Sequence, residues 1–156
     1  MIYRKTARLF EAGAQISAVL SDQPTHEAAM VAYGRHLGEA FQLVDDALDF
    51  NASAEELGKN LGDDLAEGKA TLPLIHAMRE GSGKDCDMIR RAILEGGLKD
   101  LDRIQSVIES TGALQYTAAR AQEAADLAIG ALSDIPDSDH KQALIAIADF
   151  AVQRRS

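Results

Sequence analysis

The run Phe41-Gln42-Leu43-Val44-Asp45-Asp46-Ala47-Leu48-Asp49-Phe50 sets three aspartates into an otherwise apolar stretch. On a helix turning about 100° per residue, Gln42, Asp45, Asp46 and Asp49 share a stripe roughly 100° wide. Phe41, Leu43, Val44, Ala47, Leu48 and Phe50 fill the rest of that segment. An unpaired carboxylate is costly to remove from water, so the stripe has to face a polar cavity, a cation or solvent. Carboxylates one turn apart repel and raise each other's pKa. A hard dication reverses this, because Mg²⁺ accepts carboxylate oxygens and is usually completed by waters and substrate phosphates. Taken alone, such a stripe is most often a solvated helix face; the apolar surround here weakens that reading.

Two further groups of residues suit an anion. In the segment Tyr3-Arg4-Lys5-Thr6 the wheel places Lys5 in the middle of an apolar face formed by Ile2, Leu9, Ala12, Ile16, Val19 and Leu20, with Thr6 beside it. Either Lys5 snorkels past the end of a core, or its ammonium is held inward against an anion, with the Thr6 hydroxyl at hand. Farther on, a loop punctuated by Gly58, Gly62 and Gly68 carries Lys59 and Lys69 near its ends, with Asp63, Asp64 and Glu67 between them. Such a loop wraps a phosphate through its backbone and lysines, or is merely a solvated turn. Together the three groups suggest Mg²⁺ with a diphosphate: carboxylates for the metal, lysines for the phosphate oxygens, and apolar helices around something greasy.

The elements that must hold these residues are helices. Alanine and leucine dominate, aromatic residues make up 4%, and Gly and Pro are sparse over the 156 residues, a composition that predicts an all-α helical bundle. The pattern predicts about seven helices and no strand. One covers roughly Tyr3 to Leu20 and stops before Ser21-Asp22-Gln23-Pro24. A long one covers roughly Thr25 to Phe50. Its Gly34 and Gly38 either permit a close helix crossing or are incidental. Ser53-Ala54-Glu55-Glu56 predicts a capping box and a short helix ending at Gly58. Residues 58–70 predict a polar loop, and Thr71 a cap for a helix with Pro73 in its first turn. More helices come after it, broken at Gly81-Ser82-Gly83, Gly96-Gly97, Gly112 and Pro136-Asp137-Ser138, and the last begins at Asp139.

Other classes are disfavoured. With 16 Lys and Arg against 25 Asp and Glu, the net charge is −9, which argues against nucleic acid as a partner. The single cysteine, Cys86, allows no internal disulfide and fits a reduced, cytoplasmic protein. No apolar run is long enough to span a bilayer, and Met1 to Lys5 leads straight into a helix without a signal-peptide pattern. His26, His36, His76 and His140 share no ligand spacing, and no Glu-x-x-His pair marks a di-iron bundle. Nucleophile-elbow, Walker and dinucleotide-loop motifs are lacking.

The segments AFQLVDDALDF (residues 40–50), YRKTARLFEAGA (3–14) and LGKNLGDDLAEGKATLPLIHAM (57–78) resemble, in order and spacing, the second aspartate-rich motif, the Lys-Thr helix and the lysine loop of the trans-polyprenyl diphosphate synthases. The wording is nearest the bacterial octaprenyl diphosphate synthases, and the resemblance covers essentially the whole chain. Members of that family are about twice as long, and nothing here matches their first aspartate-rich motif or their basic patch for isopentenyl diphosphate. The resemblance therefore implies that residues 1–156 are the C-terminal half of an isoprenoid-synthase-type fold, as a fragment or a naturally short product, inactive alone. It implies a Mg²⁺-dependent transferase that adds isopentenyl diphosphate to an allylic diphosphate. The product would be a long-chain, octaprenyl-type diphosphate suited to a quinone side chain, and the full-length enzyme a homodimer. Position by position, Asp45 would be the main Mg²⁺ ligand, with Asp46 and Asp49 in its inner or outer shell. Lys5 and Lys59 would hold the allylic diphosphate, Lys69 would support that loop, and Thr6 and Gln42 would stabilise the allylic cation. Rival readings are a non-catalytic regulatory or binding subunit and a terpene cyclase; the Lys-Thr helix and the Gly-Lys-Ala-Thr-Leu-Pro segment favour the synthase over the cyclase.

Overall fold

Every break expected from glycine and proline within the described residues coincides with a helix end in the computed structural model, which describes residues 1–51, 62–96 and 98–154. The capping-box helix expected from Ser53 to Gly58 lies outside the described residues, as do Lys59 and Gly97. A π-helical turn, Tyr3–Ala7, runs into α1 (Arg8–Leu20). Next are α2 (Pro24–Leu48), a four-residue α3 (Asp63–Ala66), α4 (Leu72–Glu80) and α5 (Gly83–Glu95). Then come α6 (Leu101–Ser110), α7 (Ala113–Ala131) and α8 (Asp139–Gln153). No strand occurs among the described residues. The all-α expectation therefore holds.

Local chemistry fixes most of these ends. Pro24 opens α2 and Pro73 sits in the first turn of α4, where a missing N–H costs nothing. Ser82 and Asp85 form a reciprocal capping box on α5: the Asp85 carboxylate accepts the Ser82 N–H at 2.9 Å, and Ser82 Oγ accepts the Asp85 N–H at 3.3 Å. Ser138 Oγ likewise accepts the Lys141 N–H at the start of α8, at 3.2 Å. Thr71 does stand at the cap position of α4 in extended conformation, but its hydroxyl makes no cap bond. That hydroxyl is buried without a partner among the described residues.

The chain divides into two units, Met1–Val44 with Arg120–Arg154, and Asp45–Ala119. The core of the first gathers Tyr33, Leu37, Ala128, Leu132, Ala148 and Ala151, with Phe10, Ala14 and Met30 packed against it. Here the expected core face of the first helix is overturned. Leu9, Ile16, Val19 and Leu20 are all more than half exposed, and Lys5 is exposed with them. The inward face of this helix is Ala7, Glu11 and Ala18. That face is set by α2, whose glycines approach the backbone of Ala7, Phe10 and Glu11 closely. A Cβ at Gly34 would lie 2.5 Å from the Phe10 carbonyl oxygen, and one at Gly38 would lie 2.6 Å from Ala7 Cα. The two glycines thus serve a close crossing. Gly13, by contrast, has nothing within 4 Å of its would-be Cβ. Gly13→Ala is expected to raise stability by about 0.5–1 kcal/mol through helix propensity. Gly38→Ala should lower it by about 1 kcal/mol or more, because backbone has to shift. Urea unfolding of the two variants checks the opposite signs.

In the second unit Phe50, Leu65, Leu74, Met88, Ile89, Ile104 and Ile108 form a continuous core. Leu65 is fully buried, so the polar loop expected over 58–70 contains, from Gly62 onward, a turn of helix pinned to that core.

Candidate diphosphate and metal site

In the first unit, the resemblance's Lys-Thr pair lies in the π-helical turn. The Arg8 N–H reaches back to the carbonyls of both Thr6 and Tyr3, and the longer reach to Tyr3 is what widens the turn. Such turns are uncommon and frequently mark functional sites. Lys5 points from this turn into solvent, and Thr6 is half-buried. The Thr6 hydroxyl donates to Gln42 Oε1 at 2.6 Å. The α1–α2 crossing at Gly38 is what brings Thr6 to Gln42, one turn farther along α2. Two residues joined only by resemblance, and 36 apart in the chain, are therefore in direct contact.

Beside them is a cluster that sequence reasoning missed. Glu11 is 2% exposed. Its carboxylate accepts hydrogen bonds from the Tyr3 hydroxyl at 3.2 Å and from Arg35 Nε of α2 at 2.9 Å, and it pairs with Arg8. The Arg35 guanidinium also lies over the Tyr3 ring, 5.0 Å from its centroid. Arg35 holds the Glu11 carboxyl below the usual carboxylate range, with the Tyr3 hydroxyl adding to the effect against the opposing influence of burial. The available signal was a glutamate on the small-residue face of Ala7, Ala14 and Ala18, but large apolar side chains dominate a helical wheel.

In the second unit, the aspartates differ in environment. Asp45 and Asp49 are half-buried, whereas Asp46 is 5% exposed and so does not share an open stripe with them. Asp49 organises the chain beyond α2. Its backbone carbonyl accepts the Gly62 N–H at 3.0 Å. Its carboxylate accepts the Asp64 N–H, 3.2 Å from Oδ2, at the start of α3. Gly62 can turn the chain there because it takes a φ of +79°, and a Cβ would meet Leu101 Cδ1 at 2.9 Å. Lys69 is tied to the loop's own carboxylates, Asp64 at 2.5 Å and Glu67 at 2.6 Å, and the bond to Asp64 raises its pKa. It braces the loop in this form of the chain.

The Asp49 carboxyl is pushed up to about 6, chiefly by burial and then by the neighbouring Asp64 carboxylate; the Asp64 N–H opposes them. A carboxyl whose pKa rises on folding favours the folded state below its unfolded value of 3.8, and that contribution is lost as pH climbs to about 6. At neutral pH the ionised group is therefore a liability. Its cost is about 1–2 kcal/mol after allowance for its half-exposed position. Asp49→Asn is expected to stabilise the chain by that amount at pH 7 without divalent ions, and to flatten the fall in stability between about pH 4 and 6. Denaturant titrations across that range test it.

Oxygen donors crowded by like charge fit a hard dication, which would make the ionised Asp49 favourable again. Among the described residues, no three His, Cys, Asp or Glu side chains are arranged to hold a metal by themselves. His76 is not part of this group: its ring stacks on Tyr116 at 4.2 Å and its Nε2 meets the Thr111 carbonyl at 3.3 Å.

An all-α chain with an aspartate-bearing helix and a Lys-Thr turn hydrogen-bonded to it defines a class, and the sequence pattern of the polyprenyl synthetase family matches residues 1–111. The chain belongs to that family. It is 52% identical over 156 residues to the octaprenyl diphosphate synthase of Escherichia coli, covering 99% of this chain and 48% of that protein. With the octaprenyl diphosphate synthase of Haemophilus influenzae the identity is 47%, over 99% of this chain and 47% of that one. Among solved structures, the polyprenyl synthase of Caulobacter crescentus, complexed with calcium and isoprenyl diphosphate, superposes with a TM-score of 0.89 at 42% identity. It covers 99% of this chain and 48% of its own. The chain thus spans about half the length of the curated relatives it matches. No helix among the described residues is long and apolar enough to cross a membrane.

Proposed function

We propose that residues 1–156 supply the C-terminal half, with the second aspartate-rich motif, of a Mg²⁺-dependent trans-polyprenyl diphosphate synthase, and that this half is inactive alone. The observation that carries this reading is the 2.6 Å hydrogen bond from Thr6 to Gln42, three residues before Asp45 in the chain. The calcium and isoprenyl diphosphate bound by the Caulobacter crescentus relative support a divalent ion and a diphosphate. Our choice of Mg²⁺ rests on the all-carboxylate donors and on the binding mode of that ion.

In the reaction, the C–O bond of an allylic diphosphate breaks, and the alkene of isopentenyl diphosphate attacks the allylic carbon. A proton is then lost to the diphosphate. Asp45 would hold the cation, with Asp46 and Asp49 in its inner or outer shell. A Mg²⁺ ion held by these carboxylates would supply positive charge against the diphosphate. Lys5 and Lys59 grip the diphosphate oxygens, and Lys69 supports the lysine loop. The Thr6 hydroxyl donates its hydrogen bond to Gln42 Oε1, which leaves oxygen lone pairs of Thr6 and Gln42 to stabilise the positive charge that develops on the allylic carbon. Isopentenyl diphosphate binds through the other half. The complete enzyme is a cytoplasmic homodimer, and its product is an octaprenyl diphosphate for a quinone side chain.

Calorimetric titration tests this on the chain joined to the first half of the Escherichia coli relative. A non-ionisable allylic thiodiphosphate should bind only with Mg²⁺. Lys5→Met should weaken binding by about 1.5–3 kcal/mol, the scale of one charge-assisted hydrogen bond. An unchanged dissociation constant would remove Lys5 from the site, and binding indifferent to Mg²⁺ would remove the metal.

A further inference from the structure

The centre of the π-helical turn is held by the Thr6 bond to Gln42 and by Ala7 against Gly38, which leaves its two flanks to be fixed. No side chain caps its start, and Ala7 is the buried residue within it. A π turn is rare, and uncommon backbone persists where its surroundings over-determine it. What surrounds this one is the Glu11 cluster. Tyr3 stands two residues before Lys5 and Arg8 stands two after Thr6, so the cluster grips the turn on both sides of the pair. The Tyr3 hydroxyl lies between Glu11 at 3.2 Å and Arg8 Nη1 at 3.1 Å, while its ring lies under Arg35. Arg35 belongs to α2, the helix that also carries Gln42 two turns on. Glu11 therefore ties both flanks of the Lys5–Thr6 turn to the helix that Thr6 must meet.

From this arrangement we infer that Glu11, acting through the Tyr3 hydroxyl, is a positioning residue for Lys5 and Thr6. A buried ion pair is weak evidence of stabilisation in itself, since an apolar replacement often serves stability as well. Its use here is geometric: Glu11 accepts from three partners at once, and each partner either belongs to the turn's flanks or bridges to α2. Tyr3 needs its hydroxyl for this role; a phenylalanine would keep the ring under Arg35 but leave the turn's near flank untied. The inference rests on the reading of Lys5 as a diphosphate ligand, and the experiment separates the two.

The test is a double-mutant cycle in the chain joined to the first half of the Escherichia coli relative, titrated with the allylic thiodiphosphate and Mg²⁺. Tyr3→Phe and Glu11→Gln should each weaken binding about 5- to 10-fold. In the Lys5→Met background the same changes should have almost no effect, because they act through Lys5. Equal fold-losses in both backgrounds would make Glu11 merely structural and overturn the proposal, as would Tyr3→Phe binding like wild type. A measurement without ligand uses the 156-residue chain itself, with labelled threonine methyls. The contact between the Thr6 methyl and the Gln42 side-chain amide should be seen in wild type and be lost in Tyr3→Phe. Its survival in Tyr3→Phe overturns the proposal even if the thiodiphosphate fails to bind wild type, an outcome that counts against the diphosphate reading instead.

Discussion

Asp45→Ala is expected to lower turnover of the joined enzyme on the order of 10²-fold or more, and Asp49→Ala to lower it less. The difference comes from what each carboxylate already does. Asp45 is half-buried on α2, one turn past Gln42, and is assigned the direct contact with the cation. A direct ligand contributes charge stabilisation that is greatest as diphosphate departs, so the loss appears in kcat. Asp49 is engaged with the Asp64 N–H and titrates near 6. Part of its function is to seat α3, and losing it also relieves repulsion from Asp64. Steady-state kinetics at saturating Mg²⁺ and both substrates measure the two. Equal and mild losses at both positions would reduce the stripe to a solvated helix face.

Helix order is legible in the sequence because breaks are made by local chemistry. Gly81 to Gly83, Gly112 and Pro136 to Ser138 mark breaks through local backbone preference, and the expected ends agree with the structure there. The aspartate helix is legible because three carboxylates in an apolar run are costly without a partner. What each face packs against is not. On α1 the aliphatic Leu9, Ile16, Val19 and Leu20 form the exposed face, while Phe10 packs on the core and Ala7, Glu11 and Ala18 go inward. Burial there is set by how near Gly34 and Gly38 let α2 come, a tertiary fact that periodicity does not carry. The helical wheel groups Asp46 with Asp45 and Asp49, and only burial separates them. Thr71 predicts a cap because Thr favours that position; the position is right and the bond is absent. For the loop the sequence leaves a phosphate wrap or a solvated turn, and three acids near two lysines do not specify the pairing of Lys69 with Asp64 and Glu67.

The largest effect expected of all is between the chain alone and the chain joined to a first half. It spans about half of the octaprenyl diphosphate synthases it matches. Neither the first aspartate-rich motif nor the basic patch expected to bind isopentenyl diphosphate has a counterpart in its sequence. Half of a charge-stabilising site does not provide a proportionate fraction of the rate, because groups acting as a unit are strongly non-additive. The most direct measurement is product formation from farnesyl diphosphate, labelled isopentenyl diphosphate and Mg²⁺, by three samples: the 156-residue chain, the first half of the Escherichia coli enzyme, and the two joined. Long polyprenyl product from the joined protein, abolished by chelation, and none from either half alone is the predicted result. Appreciable product from the 156-residue chain by itself, or none from the joined protein in its folded state, would contradict the account.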